Sequence, residues 1–369
     1  MAAPLPPAPR SPGRAARRAE ETGTRDSGAK RRRVGIKDVA REAGVSLGTV
    51  SNVLNRPELV ADSTRRRVLE VIGSIGYIRT DGARQLHGLA SRVIAVVAPG
   101  PADPFFTALA TGVQQAAREA DLGVMVCTGA GDPEEETRHL SLLVSHQVRG
   151  AVLISGDGVG RTVAAFRRHA VPFVVADQYA PEAAACSVGI DDVAGGYAAV
   201  HHLLERGHRS IAHVGGPDLL ASVRNRRAGA RRAVSRAGLL ATSLHELSCP
   251  ALTVHAGRDA GHRILGLPVR PTAVFCADDL LALGVMQVLY RAGLRIPEDI
   301  ALVGYDDIEY AASAAVPLTS VRRPAVAMGR TAGHLLIEDT TYGAGHEHGH
   351  VVLRPELVVR RSTSAAPAR

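Results

Sequence analysis

Tryptophan is absent from this chain, and aromatic residues make up only 3% of it. Cores built around large rings are therefore excluded, and Ala, Val, Leu and Ile must do the packing. That profile suits an α/β protein with buried parallel strands. Cysteine is scarce as well: Cys127, Cys186, Cys249 and Cys276 are widely spaced, with no Cys-x-x-Cys pair. This argues against a disulfide framework and for buried free thiols in a reducing cytosol. The roughly 18 consecutive apolar residues of a membrane helix occur nowhere. The N-terminus MAAPLPPAPRSPGRAARR has no apolar h-region, so a secretory signal is not expected either. An exported binding protein would need one; a cytoplasmic, nucleoid-associated location is expected instead.

Charge is present but unevenly placed. The net charge is +8. Residues 1–33 carry nine Lys/Arg against three Asp/Glu, residues 34–90 eight against six, and residues 91–369 are neutral. A basic N-terminal portion on a neutral body reads as a nucleic-acid-binding end joined to something else. Residues 1–33 are rich in Pro, Ala, Gly and Arg without periodicity, so a disordered basic tail is expected there. Its Lys30-Arg31-Arg32-Arg33 run either touches DNA phosphates or is simply solvated.

From residue 34 the pattern is one of short helices. Ile36, Val39, Ala40 and Ala43 recur at helical spacing and Gly44 breaks the run. Ser46 is a natural N-cap for a second helix, which carries Val50, Val53 and Leu54 on one face and ends at Asn55-Arg56-Pro57. A third helix follows Asp62-Ser63, with Val68, Leu69, Ile72 and Ile75 inward, Arg65, Arg66 and Arg67 outward, and Gly76 closing it. After residue 91 the rhythm becomes strand-helix-strand. Candidate strands are Val93–Ala98, Val124–Cys127, Ala151–Ile154, Phe173–Ala176, Ile211–Val214, Ala273–Cys276 and Ile300–Val303. Amphipathic stretches at 105–121, 134–147, 192–207, 225–238 and 279–292 lie between most of them. This alternation implies parallel, doubly wound sheets with helices on both faces, and the number of elements implies two such subdomains. Ligands in such folds bind at the carboxyl ends of strands, often in a cleft.

Helix, glycine turn and capped second helix form the recipe of a helix-turn-helix. The stretch IKDVAREAGVSLGTVSNVLN over residues 36–55 is the most specific signal in the chain. It resembles the headpiece of the LacI/GalR (lactose-repressor) family. Later landmarks occur in that family's order: Asp103-Pro104-Phe105-Phe106, Gly215-Gly216-Pro217, Arg224-Asn225-Arg226-Arg227-Ala228-Gly229, Ala277-Asp278-Asp279, Val303-Gly304-Tyr305-Asp306-Asp307 and Pro317-Leu318-Thr319-Ser320-Val321. The resemblance runs to about residue 361. It implies an all-α helix-turn-helix headpiece over 34–79, a hinge helix and linker over 80–91, and a two-lobed periplasmic-binding-protein-like α/β core over 92–361. The N-lobe would be about 92–189 plus 323–352, the C-lobe about 190–322 plus 353–361, and 362–369 a tail.

The resemblance also implies roles. Leu47, Gly48 and Asn52 occupy base-reading positions, Asn52 suiting an adenine edge and Leu47 a thymine methyl. Thr49, Ser51, Asn55 and Thr64 look like phosphate-contacting positions. In the hinge, Thr80 and Ala83 fall at DNA-contacting positions, and Leu86 at the position that wedges into the minor groove and kinks the duplex. The hinge departs from the family's usual Pro-Asn start, with Arg79-Thr80 instead. Phe105 and Phe106 would wall a cleft in which Asp177, Arg224, Asp278 and Asp306 hydrogen-bond an effector; such groups suit polyhydroxylated ligands. Arg323 stands where the family commonly has Gln. If it reaches the cleft, the ligand carries a carboxylate or phosphate; if it points outward, it is a solvated charge. The implied protein is a transcriptional regulator, a repressor rather than an enzyme. Its partners would be a near-palindromic DNA operator, a carbohydrate-like effector and a second copy of itself, or more in a higher oligomer. No cofactor, metal or membrane partner is expected. Alternatives are a sugar-binding module that has lost DNA binding, and a sugar-metabolising enzyme, for which no nucleophile-plus-base constellation is visible.

Two further signals carry less. Gly345-His346-Glu347-His348-Gly349-His350 has the His spacing of a metal tract but, in a Gly-rich loop without cysteines, reads as a surface loop. His201-His202 lies on a helix and reads as surface.

Overall fold

The computed structural model describes residues 34–78, 91–99, 103–129, 133–154, 159–178 and 185–364. Two compact units divide at residues 83 and 84. The first contains α1 (Ile36–Ala43), α2 (Leu47–Asn55) and α3 (Asp62–Ile75), with a 3-10 turn at Pro57–Leu59. Val39, Ala43, Val50, Val53 and Val68 make its small aliphatic core. Gly44 closes α1 at φ +65°, a left-handed conformation that suits glycine, and its N–H donates to the carbonyls of Ala40 and Arg41. The Ser46 hydroxyl then caps α2 by accepting from Thr49 N at 3.0 Å. Gly76 ends α3 in the same left-handed way. Leu69, expected inward, is instead 49% exposed. The stripe Val68, Ile72, Ile75 follows i, i+4, i+7, and Leu69 lies about 100° round the helix from Val68.

The second unit holds two six-stranded sheets. Its elements run β1 (Val93–Ala98), α4 (Pro104–Glu119), β2 (Gly123–Thr128), α5 (Pro133–Ser145), β3 (Ala151–Ile154), α6 (Val159–Arg168), β4 (Phe173–Ala176) and β5 (Ser187–Ile190). Then follow α7 (Asp192–Glu205), β6 (Ile211–Gly215), α8 (Ala221–Arg236), β7 (Leu244–Ser248), α9 (Val254–Leu265), β8 (Ala273–Cys276), α10 (Asp279–Arg291) and β9 (Ala301–Asp306). The chain ends with α11 (Glu309–Ser313), β10 (Thr319–Arg322), α12 (Ala325–Tyr342), β11 (His350–Leu353) and β12 (Glu356–Val358). One sheet has the order β11-β5-β4-β3-β1-β2 and the other β12-β10-β9-β8-β6-β7. The chain passes between them three times, after β5, β10 and β11. Each lobe therefore takes strands from distant parts of the sequence.

The rhythm of the sequence implies parallel sheets, and the strand pairings are parallel except at one edge. β12 runs antiparallel to β10, pairing Ser320 with Val358. It follows β11 after only two residues, so no helix is available to turn the chain round before it joins the other sheet. The central strands are mostly apolar and buried on both faces: β3, β4, β6, β8 and β9 show no exposed position. All four cysteines are buried and free. Among the described residues no helix is long and apolar enough to cross a membrane. His202, expected at the surface, is buried and shares a 2.8 Å hydrogen bond with Thr363 Oγ1, because the C-terminal turn folds over α7. The His346–His350 tract does not stand clear of cysteine: Cys186, which leads into β5, lies against it.

Candidate functional site

The helix-turn-helix unit presents one polar helix face. Val50 and Val53 hold α2 in the core, which leaves Leu47 (45% exposed), Gly48, Asn52 and Asn55 exposed and Thr49 and Ser51 half-buried. Thr49 and Ser46 hydroxyls lie 2.9 Å apart, and Asn55 Nδ2 donates to Ser51 Oγ at 3.2 Å. Thr64 is half-buried in the first turn of α3. A solvent-facing, capped helix with short polar side chains has the shape needed to enter a major groove. Arg66 and Arg67 on α3 are exposed. Thr80, Ala83 and Leu86 lie outside the described residues.

The second site forms where the carboxyl ends of both sheets meet. Aspartates cluster at strand ends and helix starts. Asp103 caps α4 by accepting from Phe105 N at 2.9 Å, and Asp278 caps α10 by accepting from Leu280 N at 2.6 Å. Asp177 and Asp306 follow or end β4 and β9 with φ of +67° and +104°. Left-handed backbone at a non-glycine residue is strained, and such strain concentrates at functional sites.

Arg323 ties this cluster together. Its Nη1 donates to Asp177 Oδ1 at 2.5 Å, its Nε lies 2.6 Å from Asp306 Oδ1, and its Cζ stacks 3.4 Å from the Phe105 ring centroid. Of the two alternatives for Arg323, the structure places it in the cleft and not outward as a solvated charge. Two carboxylates lie against its guanidinium, so an anionic ligand is not required to pair it. A second buried arginine, Arg226, donates from Nε to Asp192 Oδ1 at 2.9 Å and from Nη1 to the Ala277 carbonyl at 2.6 Å. Its guanidinium lies 4.0 Å over the Tyr305 ring, and Tyr305 OH donates to the same Asp192 oxygen at 2.8 Å.

Phe105, Asp177, Asp278, Asp306 and Arg323 are therefore brought together. Phe106 stands beside them, edge-on to Phe105 at 5.7 Å and half-buried against the lobe core. Arg224 is not among them. It is exposed and donates to the carbonyls of Asp218 and Leu219 at 2.6 and 2.7 Å, because it occupies the outer face of α8. Arg226, Asp192, Tyr305 and Asp103 are the cleft residues that the motif reading missed. A groove of about 780 Å³ runs alongside, lined in part by Phe105, Thr111, Asp306, Tyr310 and Arg323.

Burial raises several of these carboxyls. Burial pushes Asp177 up to about 7, with Arg323 opposing. Burial raises Asp278 well above the usual carboxylate range, and the neighbouring Asp306 and Asp103 add to the effect. Burial and Asp306 likewise raise Asp103. Carboxyls that can hold or release a proton near neutrality can donate to, or accept from, ligand hydroxyls.

Similarity to known proteins agrees with this division. Residues 35–80 match the family of bacterial regulatory proteins, lacI family, and residues 200–363 match a periplasmic binding protein-like domain. The HTH-type transcriptional repressor CytR of Escherichia coli K12 is 32% identical over 332 residues, covering 90% of this chain and 97% of that protein. The lac repressor dimer, solved bound to operator and the anti-inducer ONPF, superposes with a TM-score of 0.79 at 27% identity, covering 90% of this chain and 99% of that one. A transcriptional regulator CelR–cellobiose complex gives 0.68 at 32% identity, covering 89% and 100%. With a helix-turn-helix unit ahead of a two-lobed α/β unit, and a relative this similar along nearly its whole length, the chain belongs to the lacI family of bacterial regulatory proteins and is a DNA-binding transcriptional regulator.

Proposed function

We propose that this protein is a homodimeric repressor whose operator affinity is set by a hydroxylated effector, a sugar or sugar derivative, held between the two lobes. One observation carries the effector half of the reading. Asp177, Asp278, Asp306 and Arg323 converge where the carboxyl ends of both sheets meet, with Arg323 bridging Asp177 at 2.5 Å and Asp306 at 2.6 Å. Ligand hydroxyls can donate to carboxylate oxygens and accept from a guanidinium, so this set suits a ligand that offers both. Phe105 offers an apolar wall beside them, as a sugar ring face needs. The surrounding carboxyls outnumber the cationic side chains, which favours a hydroxyl-rich ligand over an anion. The cellobiose-bound relative supports the same ligand class.

Residues 34–79 then act as the headpiece, 80–91 as hinge and linker, and 92–361 as the sensing core. Leu47, Gly48 and Asn52 read base edges. Thr49, Ser51, Asn55 and Thr64 hold phosphates, and Thr80, Ala83 and Leu86 act in the hinge. Each headpiece reads one half-site, and a two-fold dimer reads a near-palindrome. In the cleft, Phe105, Asp177, Asp278, Asp306 and Arg323 hold the effector, joined by Arg226, with Phe106 buttressing Phe105. Effector binding shifts the lobes and loosens the grip on DNA. We read these carboxyls as ligand-binding groups in a transcriptional regulator and not as the acid and base of an enzyme.

Selection of bound sequences from random DNA tests the DNA half. A near-palindromic site is expected. The Asn52→Ala variant should lose discrimination at one base pair per half-site by about 1–3 kcal/mol, read as a relaxed preference there. An unchanged preference would show that the reading face is assigned to the wrong residues.

A further inference from the structure

Away from both sites, at the opposite end of the N-lobe sheet from the cleft, three soft donors converge. The β11–β5 register pairs His350 with Ser187, and Gly349 N donates to Cys186 Sγ at 3.3 Å. Cys186 therefore faces the segment just before β11. In that extended segment His346 and His348 are two residues apart, which turns both rings to one side. His346 Nε2 lies 3.0 Å from Cys186 Sγ and His348 Nδ1 lies 3.8 Å from it. The three donor atoms all fall within 4.8 Å of one another. From zinc bond lengths of about 2.3 Å to sulfur and 2.0–2.1 Å to nitrogen, a tetrahedral centre separates S from N by about 3.6 Å. The two S–N distances bracket that value.

We propose that Cys186, His346 and His348 form a binding site for a thiophilic divalent metal of the zinc class. One thiolate and two imidazoles are the ligands that suit Zn²⁺ rather than Mg²⁺ or Ca²⁺. Three protein donors leave the fourth position for water or an exogenous ligand. Cys186 is buried while His348 is exposed, so the metal enters from the solvent side through the imidazoles. The metal replaces the thiol proton, so its affinity rises with pH. Bound there, it ties the returning edge strand β11 to β5 and closes the N-lobe sheet at its margin. The site stands independently of the DNA and effector readings.

The test uses the tag-free full chain, stripped with a chelator and titrated with Zn²⁺ against a chromophoric competitor, and separately with Co²⁺ read by absorbance. One equivalent of Zn²⁺ is expected, and Co²⁺ should give a thiolate-to-metal charge-transfer band. Cys186→Ser should abolish that band. Cys186→Ser and His348→Ala should each weaken Zn²⁺ binding at least tenfold, whereas His255→Ala, at an exposed histidine on α9, should leave it unchanged. His348 is exposed, so its variant tests the site without disturbing the core. Stoichiometric Zn²⁺ binding that survives Cys186→Ser or His348→Ala, or Co²⁺ binding without a thiolate band, would overturn the proposal. So would the absence of binding, which leaves Cys186 and His346 as a simple hydrogen-bonded pair.

Discussion

His213 occupies the middle of β6 with 1% exposure, tilted against Phe275 at 5.2 Å, and its Nε2 has no hydrogen-bond partner. Burial pushes its pKa down to about 4, although Glu246 opposes. The native state thus holds it neutral where the unfolded chain, near 6.5, binds a proton. Stability should be unaffected by this group above about 6.5 and should fall as pH drops from there toward 4. The loss is on the order of 2–3 kcal/mol at pH 4. Asp177 acts in the opposite sense, since its raised pKa removes stability as pH rises from about 4 toward 7. The comparison must therefore be between variants. Denaturant unfolding of His213→Leu at pH 7 and pH 4.5 should show a smaller acid-side loss than the parent chain. Equal losses would mean that His213 does not titrate as described.

Arg224 and Arg226 lie on opposite sides of one helix. Both sit in one basic motif, and only helical phase separates them. The inward stripe of α8 is Val223, Arg226, Ala230, Ala233 and Val234. An arginine on an apolar stripe is the one that enters the core, and that signal was available in the sequence. The buried carboxylate partner Asp192 was not, because it lies 34 residues away on α7.

At the scale of elements, helix pairs close through small residues. On α12, a Cβ at Gly329 would come 1.9 Å from the Leu109 carbonyl of α4, and one at Gly112 would come 2.0 Å from the Val326 carbonyl. Gly329→Ala should therefore push the two helices apart and cost roughly 1–3 kcal/mol or more, lowering the thermal midpoint of the core. In α3, by contrast, an added Cβ at Gly73 meets nothing within 4 Å. Gly73→Ala should stabilise the headpiece by up to about 1 kcal/mol. Circular dichroism melts of the two variants check both signs.

Elements differed in how legible they were. β1, β3, β4, β6 and β8 are short and mostly apolar, broken only by His213 and Gly215 in β6, and a buried parallel strand has little other composition open to it. β7 reads Leu-His-Glu-Leu-Ser because it is an edge strand with one wet face, and periodicity alone did not separate it from a loop. β5, β11 and β12 have three or four residues each and owe their existence to pairing partners far away in sequence. For the same reason the approach of Cys186 to His346 was invisible: 160 residues separate them, and only the β5–β11 pairing joins them.

At the scale of the whole molecule, the positive excess sits entirely before residue 91, while the rest is neutral. Operator binding should accordingly weaken as salt rises, through counterion release at the headpieces, whereas effector binding in the neutral core should be nearly salt-independent. Affinity for DNA and for effector, measured from about 50 to 200 mM salt, separates the two. A strong salt slope for the effector would place its site in a different electrostatic setting.

A repressor of the kind proposed couples its cleft to its headpiece. Coupling free energy is reciprocal: whatever factor effector imposes on operator affinity, operator imposes on effector affinity. The direct measurement titrates the full chain with its selected operator, with and without the effector found by ligand screening, and then titrates effector with and without operator. Operator affinity should fall with effector bound, by about 5–150-fold, matched by the same factor in the reverse experiment. The coupled Arg226→Gln variant should bind operator but respond weakly to effector. Operator affinity that is identical with and without a saturating cleft ligand would contradict the claim.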